Sequence, residues 1–202
     1  MVKKAIKILI AGDSFAAKWP NTQNGWPDQL GKKYSVTNIA QAGVSEYKIL
    51  KQLQSISLAN YDLVIVCHTS ISRVHTLAHP IHNKGLHKDC DLIMTDLESK
   101  FNWFNASLRT AVNWFKYHYD DTYQKDIYQL LRSHINSIIN IPYISIDHFQ
   151  DSVPYGTEII RLDFSNFWIN FRGDVNHYNY QGNVYVTKEL SKTIDFLTNE
   201  SV

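Results

Sequence analysis

Two short stretches hold residue types that can act together as a nucleophile, a base and an acid. Ile8-Leu9-Ile10-Ala11 is an apolar run that stops at Gly12-Asp13-Ser14, so a buried strand would end by delivering a hydroxyl. Far along the chain stands Asp174-Val175-Asn176-His177. An Asp three positions before a His can turn back onto the same imidazole within one tight turn. The carboxylate then accepts from Nδ1–H and leaves Nε2 free to take a proton from a hydroxyl, as in a serine hydrolase. Each stretch also has a plainer explanation. Asp and Ser after a strand make turns and helix caps, and Asp-x-x-His pairs are common on surfaces. The readings separate on whether the fold brings both stretches to one place, beside backbone donors for an oxyanion.

The elements between them are legible. Residues 5–11, 34–39, 61–67 and 142–147 read as strands. Pro27 opens a short helix. Ser45 caps another, with Ile49, Leu50, Leu53 and Ile56 at helical spacing. Helical patterns run from Asp91 to about Tyr119, from Asp121 to about Ile139 and from Tyr180 to about Leu197. Residues 68–90 and 148–173 read as long irregular loops. The third strand, Leu63-Val64-Ile65-Val66-Cys67, is apolar throughout, as expected where both faces of a sheet are covered. The alternation predicts an α/β chain: a three-layer α/β/α sandwich with a central, mostly parallel, flavodoxin-like sheet, forming a single domain over 1–202. In such sheets ligands bind beyond the carboxyl ends of the strands. Ser14, Gly43, His68-Thr69-Ser70 and the loop after the fourth strand are expected to gather at that edge.

Bulk properties narrow the function classes. Hydrophobic residues make up 44% and charged residues 19%, ordinary for a folded domain, and 202 residues suffice for a real core. The formal charge of +1 gives no global pull toward nucleic acid or an anionic membrane. Cys67 and Cys90 are too few for a disulfide framework. The opening Met1-Val2-Lys3-Lys4-Ala5-Ile6-Lys7 is basic then apolar, but Lys7 interrupts it and no signal cleavage pattern follows. No segment has membrane-spanning length, and a cytoplasmic protein is expected.

Taken together, the blocks resemble the GDSL/SGNH hydrolase family. Gly12-Asp13-Ser14 resembles its nucleophile block, Asn38-Ile39-Ala40-Gln41-Ala42-Gly43 its oxyanion-glycine block, and Asp174-x-x-His177 its terminal block. Gly25-Trp26-Pro27 with Leu30, and His177-Tyr178-Asn179-Tyr180-Gln181-Gly182-Asn183, resemble its flanking segments. The resemblance implies a serine esterase. Ser14 would be the nucleophile, His177 the base and Asp174 its acid, with Gly43 and Ser70 at the oxyanion hole and Asp13 serving only the turn. One block departs: His68-Thr69-Ser70-Ile71 stands where the family carries a Gly-x-Asn block, so Ser70 falls on the asparagine position. The substrate implied is a small-molecule or carbohydrate ester, an O-acetyl sugar among them. A non-catalytic carbohydrate- or protein-binding module and an O-acyltransferase are the competing readings.

His68 and Arg73 lie close to the expected site and are candidates for substrate binding, since a guanidinium pairs with carboxylates; an ion pair of Arg73 with Asp62 is the structural reading. His75, His79, His82 and His87 are read as loop residues. Apart from Asp89, Cys90 and Asp91 they lack partners at zinc-type spacing, so no metal or cofactor is expected. Tyr155, Phe164, Phe167, Trp168 and Phe171 read equally as core or as a stacking surface.

Overall fold

The computed structural model describes residues 5–19, 24–100, 102–152, 160–175 and 177–199. Five strands form one sheet: β1 (Lys7–Gly12), β2 (Ser35–Asn38), β3 (Leu63–His68), β4 (Tyr143–Asp147) and β5 (Ile160–Asp163). Their order is β2-β1-β3-β4-β5 and every pairing is parallel. This is a doubly wound order, with its topological switch between β1 and β3.

Side-chain alternation along the strands builds two cores. Ile8 and Ile10 of β1, with Ile65 of β3 and Ile146 of β4, face α1 (Trp26–Leu30) and α6 (Tyr180–Asn199) through Trp26, Leu30, Val186, Leu190 and Ile194. Leu9 and Ala11, with Val64 and Val66, face α2 (Glu46–Gln54) and α5 (Asp121–Ile138) through Ile49, Leu50, Leu53 and Ile135. Each fully buried Ile or Leu contributes about 1.5–3 kcal/mol. Helices therefore cover both faces, as the apolar β3 sequence required.

Two expectations needed revision. The helical pattern over 91–119 breaks into α3 (Met94–Ser99) and α4 (Ala106–His118). Asn105 caps α4 by accepting from the Leu108 N–H at 3.0 Å, and Asn102 accepts from the Phe104 N–H at 2.9 Å. Phe104 is left 98% exposed rather than buried. This pair packs in a separate cluster around Leu97, Leu108 and Phe115. The irregular 148–173 stretch contains the short edge strand β5 and, outside the sheet, β6 (Arg172–Val175). Among the described residues no helix is long and apolar enough to cross a membrane.

A buried charge network fastens α5 to the sheet. Arg132 donates to Asp147 at 2.9 Å and to Ser145 at 3.0 Å, and Arg161 donates to the second Asp147 oxygen at 2.6 Å. Burial works against charge on Asp147, but His68, Arg132 and Arg161 outweigh it and hold its pKa below the ordinary carboxylate value. Removing one partner of such a pair leaves a buried charge uncompensated. Arg132→Ala is expected to cost about 3–5 kcal/mol, read as a lowered urea midpoint; an unchanged midpoint would show that the pair is dispensable.

Candidate active site

Gly12 closes β1 where no side chain fits. Its φ is +147°, and a Cβ there would lie 2.5 Å from Cys67 on β3. The Gln52 side chain clamps this residue, accepting from the Gly12 N–H at 2.8 Å and donating to its carbonyl at 3.1 Å. The chain then turns sharply. The Asp13 carboxyl accepts from the Phe15 N–H at 3.0 Å, and the Asp13 carbonyl accepts from Ala16 and Ala17 at 3.1 and 3.0 Å. Asn38, at the end of β2, donates to the Ala16 carbonyl at 2.8 Å and fixes the far side of the turn. Asn183 accepts from the Trp26 N–H at 2.9 Å, and the Trp26 indole donates to the Phe15 carbonyl at 2.7 Å. The sequence blocks around Asn38, Trp26 and Asn183 thus converge on the segment that carries Ser14.

Asp13 is fully buried, with one carboxyl oxygen unpartnered among the described residues. Burial pushes its pKa up to about 7. A carboxyl with a raised folded pKa binds its proton more tightly than the unfolded chain does, so stability falls as pH rises from about 4 to about 7. Asp13→Asn keeps the acceptor for Phe15 and removes the titration. Its stability relative to wild type is expected to be higher at about pH 8 than at about pH 5, by on the order of 2 kcal/mol. Urea unfolding at both pH values checks this; an equal difference at both would contradict it.

The imidazole of His177 meets this turn. Its Nε2 lies 2.8 Å from the Ser14 Oγ. The ring leans on Phe15, with centroids 4.5 Å apart, and meets Trp19 edge-on at 6.0 Å. His177 takes φ +60°, uncommon for a side chain this bulky. Bonds on either side hold it there: the Gly173 N–H donates to the His177 carbonyl at 3.2 Å and the Asn179 N–H to the Phe171 carbonyl at 2.7 Å. Burial lowers the His177 pKa to about 4, assisted by the positive charge of Arg73 and by His87. At neutral pH the ring is therefore uncharged and its Nε2 can accept the Ser14 proton.

Asp174 does not complete the expected set. It sits exposed on β6, and among the described residues no hydrogen bond joins it to His177. The extended backbone of β6 sends this side chain to solvent instead of folding it back onto the ring.

Gly43, in the turn after β2, has φ +72°. Among the described residues the N–H groups of Ser14 and Gly43 donate to no protein acceptor, as donors awaiting an oxyanion must. Ser70 is different: its hydroxyl donates to Asp151 at 2.5 Å and accepts from the Ser72 N–H at 3.2 Å. Its proton is committed to a carboxylate, which corrects its assignment as an oxyanion donor. His68 is also corrected. It is buried beneath the site, with Nδ1 2.6 Å from Glu46 and Nε2 3.0 Å from the Tyr143 hydroxyl. Arg73 donates to the carbonyls of Gly43 and Asp91 at 3.0 and 3.3 Å. It binds the frame behind Gly43 and does not pair with Asp62, whose carboxylate accepts from the Lys7 N–H.

His148 escaped sequence reasoning. It follows β4 directly, is fully buried, and its Nδ1 lies 2.6 Å from the Tyr178 hydroxyl. Its ring stacks flat on Phe15 at 4.3 Å. Burial drives its pKa down to about 3. Phe15 thus contacts the rings of both His148 and His177. The only available signal was the position of His148 at a strand's carboxyl end. Of the aromatic residues, Phe164 is core, and Phe167 stacks between Phe171 at 4.4 Å and Tyr185 at 4.3 Å. Tyr155 and the side chain of Trp168 lie outside the described parts.

In the histidine-rich loop, His79, His82 and Asp96 each offer one ligating atom, all within 4.8 Å of one another. The His79 Nδ1 accepts from the N–H groups of Ile81 and His82 at 3.1 and 3.0 Å. That leaves the proton of the neutral ring on Nε2, which is buried without a partner. With Nδ1 accepting from two N–H groups, the neutral His79 ring carries an N–H and not a lone pair on Nε2.

In comparisons with known proteins, no family model and no curated protein matched the chain.

Proposed function

We propose that this chain is a serine esterase of the GDSL/SGNH type, working through Ser14 and His177. The observation that carries the reading is the 2.8 Å contact between the Ser14 hydroxyl and a neutral, half-buried imidazole. Ser14 Oγ attacks the ester carbonyl carbon as its proton passes to the His177 Nε2. Negative charge develops on the carbonyl oxygen, toward the N–H groups of Ser14 and Gly43. The intermediate collapses, the C–O bond to the alcohol breaks, and Nε2–H protonates the leaving oxygen. Water then attacks the acyl-enzyme, gives its proton to Nε2, and Ser14 leaves with that proton as the carboxylic acid departs. Among the described residues no carboxylate bonds to the His177 Nδ1, so the imidazolium gains less support than in a full triad. The substrate class proposed is an ester of a small molecule or carbohydrate.

Pre-steady-state hydrolysis of p-nitrophenyl acetate tests the reading. A burst of p-nitrophenol equal to the enzyme concentration, followed by slower turnover, is expected for an acyl-enzyme. Absence of both burst and turnover would favour the binding-module reading, to which the exposed Asp174 and the committed Ser70 also point.

A further inference from the structure

The long loop after β3 grips one peptide of the site from several sides. The Gly43 carbonyl accepts from the Asp91 N–H at 2.8 Å and from Arg73 Nη1 at 3.0 Å. The preceding carbonyl, that of Ala42, accepts from the Cys90 thiol at 3.3 Å. In a trans peptide the C=O and N–H point in opposite directions, so aiming Ala42 C=O at Cys90 aims the Gly43 N–H the other way. A Cβ on residue 43 would run into the Cys90 sulfur, so the grip closes only around glycine. Asp91, wholly buried, extends the clamp. Its carboxylate accepts from the N–H groups of Ser45 at 2.7 Å and Thr76 at 2.8 Å, and pairs with Lys48 at 2.8 Å. One side chain therefore ties the segment just after Gly43 to the loop after β3.

Arg73 is more than a strut. Its Nε is buried and has no hydrogen-bond partner among the described residues. Its field reaches the Ser14–His177 pair, since it opposes protonation of His177 and favours ionisation of Asp13. Ser70, at the position where a third oxyanion donor was expected, gives its proton to Asp151.

We infer that Arg73 and Asp91 lock the Gly43 N–H as the second oxyanion donor, and that the half-buried charge of Arg73 stabilises the oxyanion in place of the donor Ser70 withholds. This rests on the esterase reading, and Arg73 acts as a positioning residue through the Gly43 peptide. Preorganised dipoles and charges of this kind act strongly because they need not reorganise as charge develops.

The test pairs Arg73→Gln with Arg73→Lys, each checked for folding by thermal melting. Amide relaxation at Gly43 reads the lock directly. An order parameter of about 0.85 in wild type, falling below about 0.6 in Arg73→Gln, is expected. With p-nitrophenyl acetate, Arg73→Gln should lower kcat about 10²-fold, leave KM within about threefold, and raise the pH of the acidic limb as His177 becomes easier to protonate. Arg73→Lys keeps the charge, so its acidic limb should stay where it is in wild type while kcat still falls. An unchanged Gly43 order parameter overturns the lock. An unchanged kcat and acidic limb overturn the electrostatic role. If wild type shows no Ser14-dependent hydrolysis, the esterase reading and the electrostatic role fall together, and the Gly43 amide alone still decides the lock.

Discussion

Ser14→Ala lowers kcat/KM for p-nitrophenyl acetate by at least about 10³-fold while the protein stays folded. The size of the loss follows from chemistry: alanine has no atom that can form the acyl-enzyme, and what remains is the polarising effect of the backbone donors. The fold survives because, among the described residues, the Ser14 hydroxyl bonds only to His177. The turn is held by other atoms: the Asp13 carboxyl and carbonyl, the Asn38 amide and the Trp26 indole. Thermal melting should therefore coincide with wild type. A variant that hydrolyses the ester as fast as wild type would remove Ser14 from the reaction.

His177→Gln has an effect of similar size, with a pH signature. An ordinary histidine base loses activity as pH falls through about 6.5. His177, lowered to about 4 by burial and then by the charge of Arg73 and by His87, stays neutral well below that. The profile of kcat/KM is expected to be flat from about pH 5.5 to about pH 8 and to fall only toward about pH 4. A limb near pH 6.5 would contradict the half-buried, neutral ring. Stability changes in the same window. Between about 4 and 6.5 the unfolded chain binds the proton that folded His177 refuses, so stability is lost as pH falls through that range. His148, lowered to about 3, and His79, lowered to about 4, act in the same direction. His177→Gln should therefore soften the acid destabilisation but not abolish it. Gln cannot act as the base, so its kcat/KM should drop by about 10³-fold at neutral pH.

The legible parts of the chain are those in which one face or one period decides the outcome. β1 and β3 could be read because burial on both sides leaves no polar residue between Leu63 and Cys67. The carboxyl ends of β1 and of its parallel neighbour β2 then had to lie together, which brought Ser14 and Gly43 to one edge in the order observed. His177 was legible as a base. Its partner was not, because the direction of Asp174 depends on the β6 backbone and not on spacing. His68 and Ser70 were misread for the same kind of reason. Their neighbours Glu46, Tyr143 and Asp151 come from remote segments and decide where each polar atom points. The edge strand β5 is four residues long, too short to show a period. The break between α3 and α4 is set by the caps at Asn102 and Asn105, inside a continuous apolar pattern.

The most direct measurement is peptide mapping after treatment with a fluorophosphonate, which reacts with an activated serine. A single adduct on Ser14, lost in Ser14→Ala and strongly reduced in His177→Gln, is the result expected of a hydroxyl primed by this imidazole. A folded wild-type protein left unmodified, or modified at another residue, would contradict it.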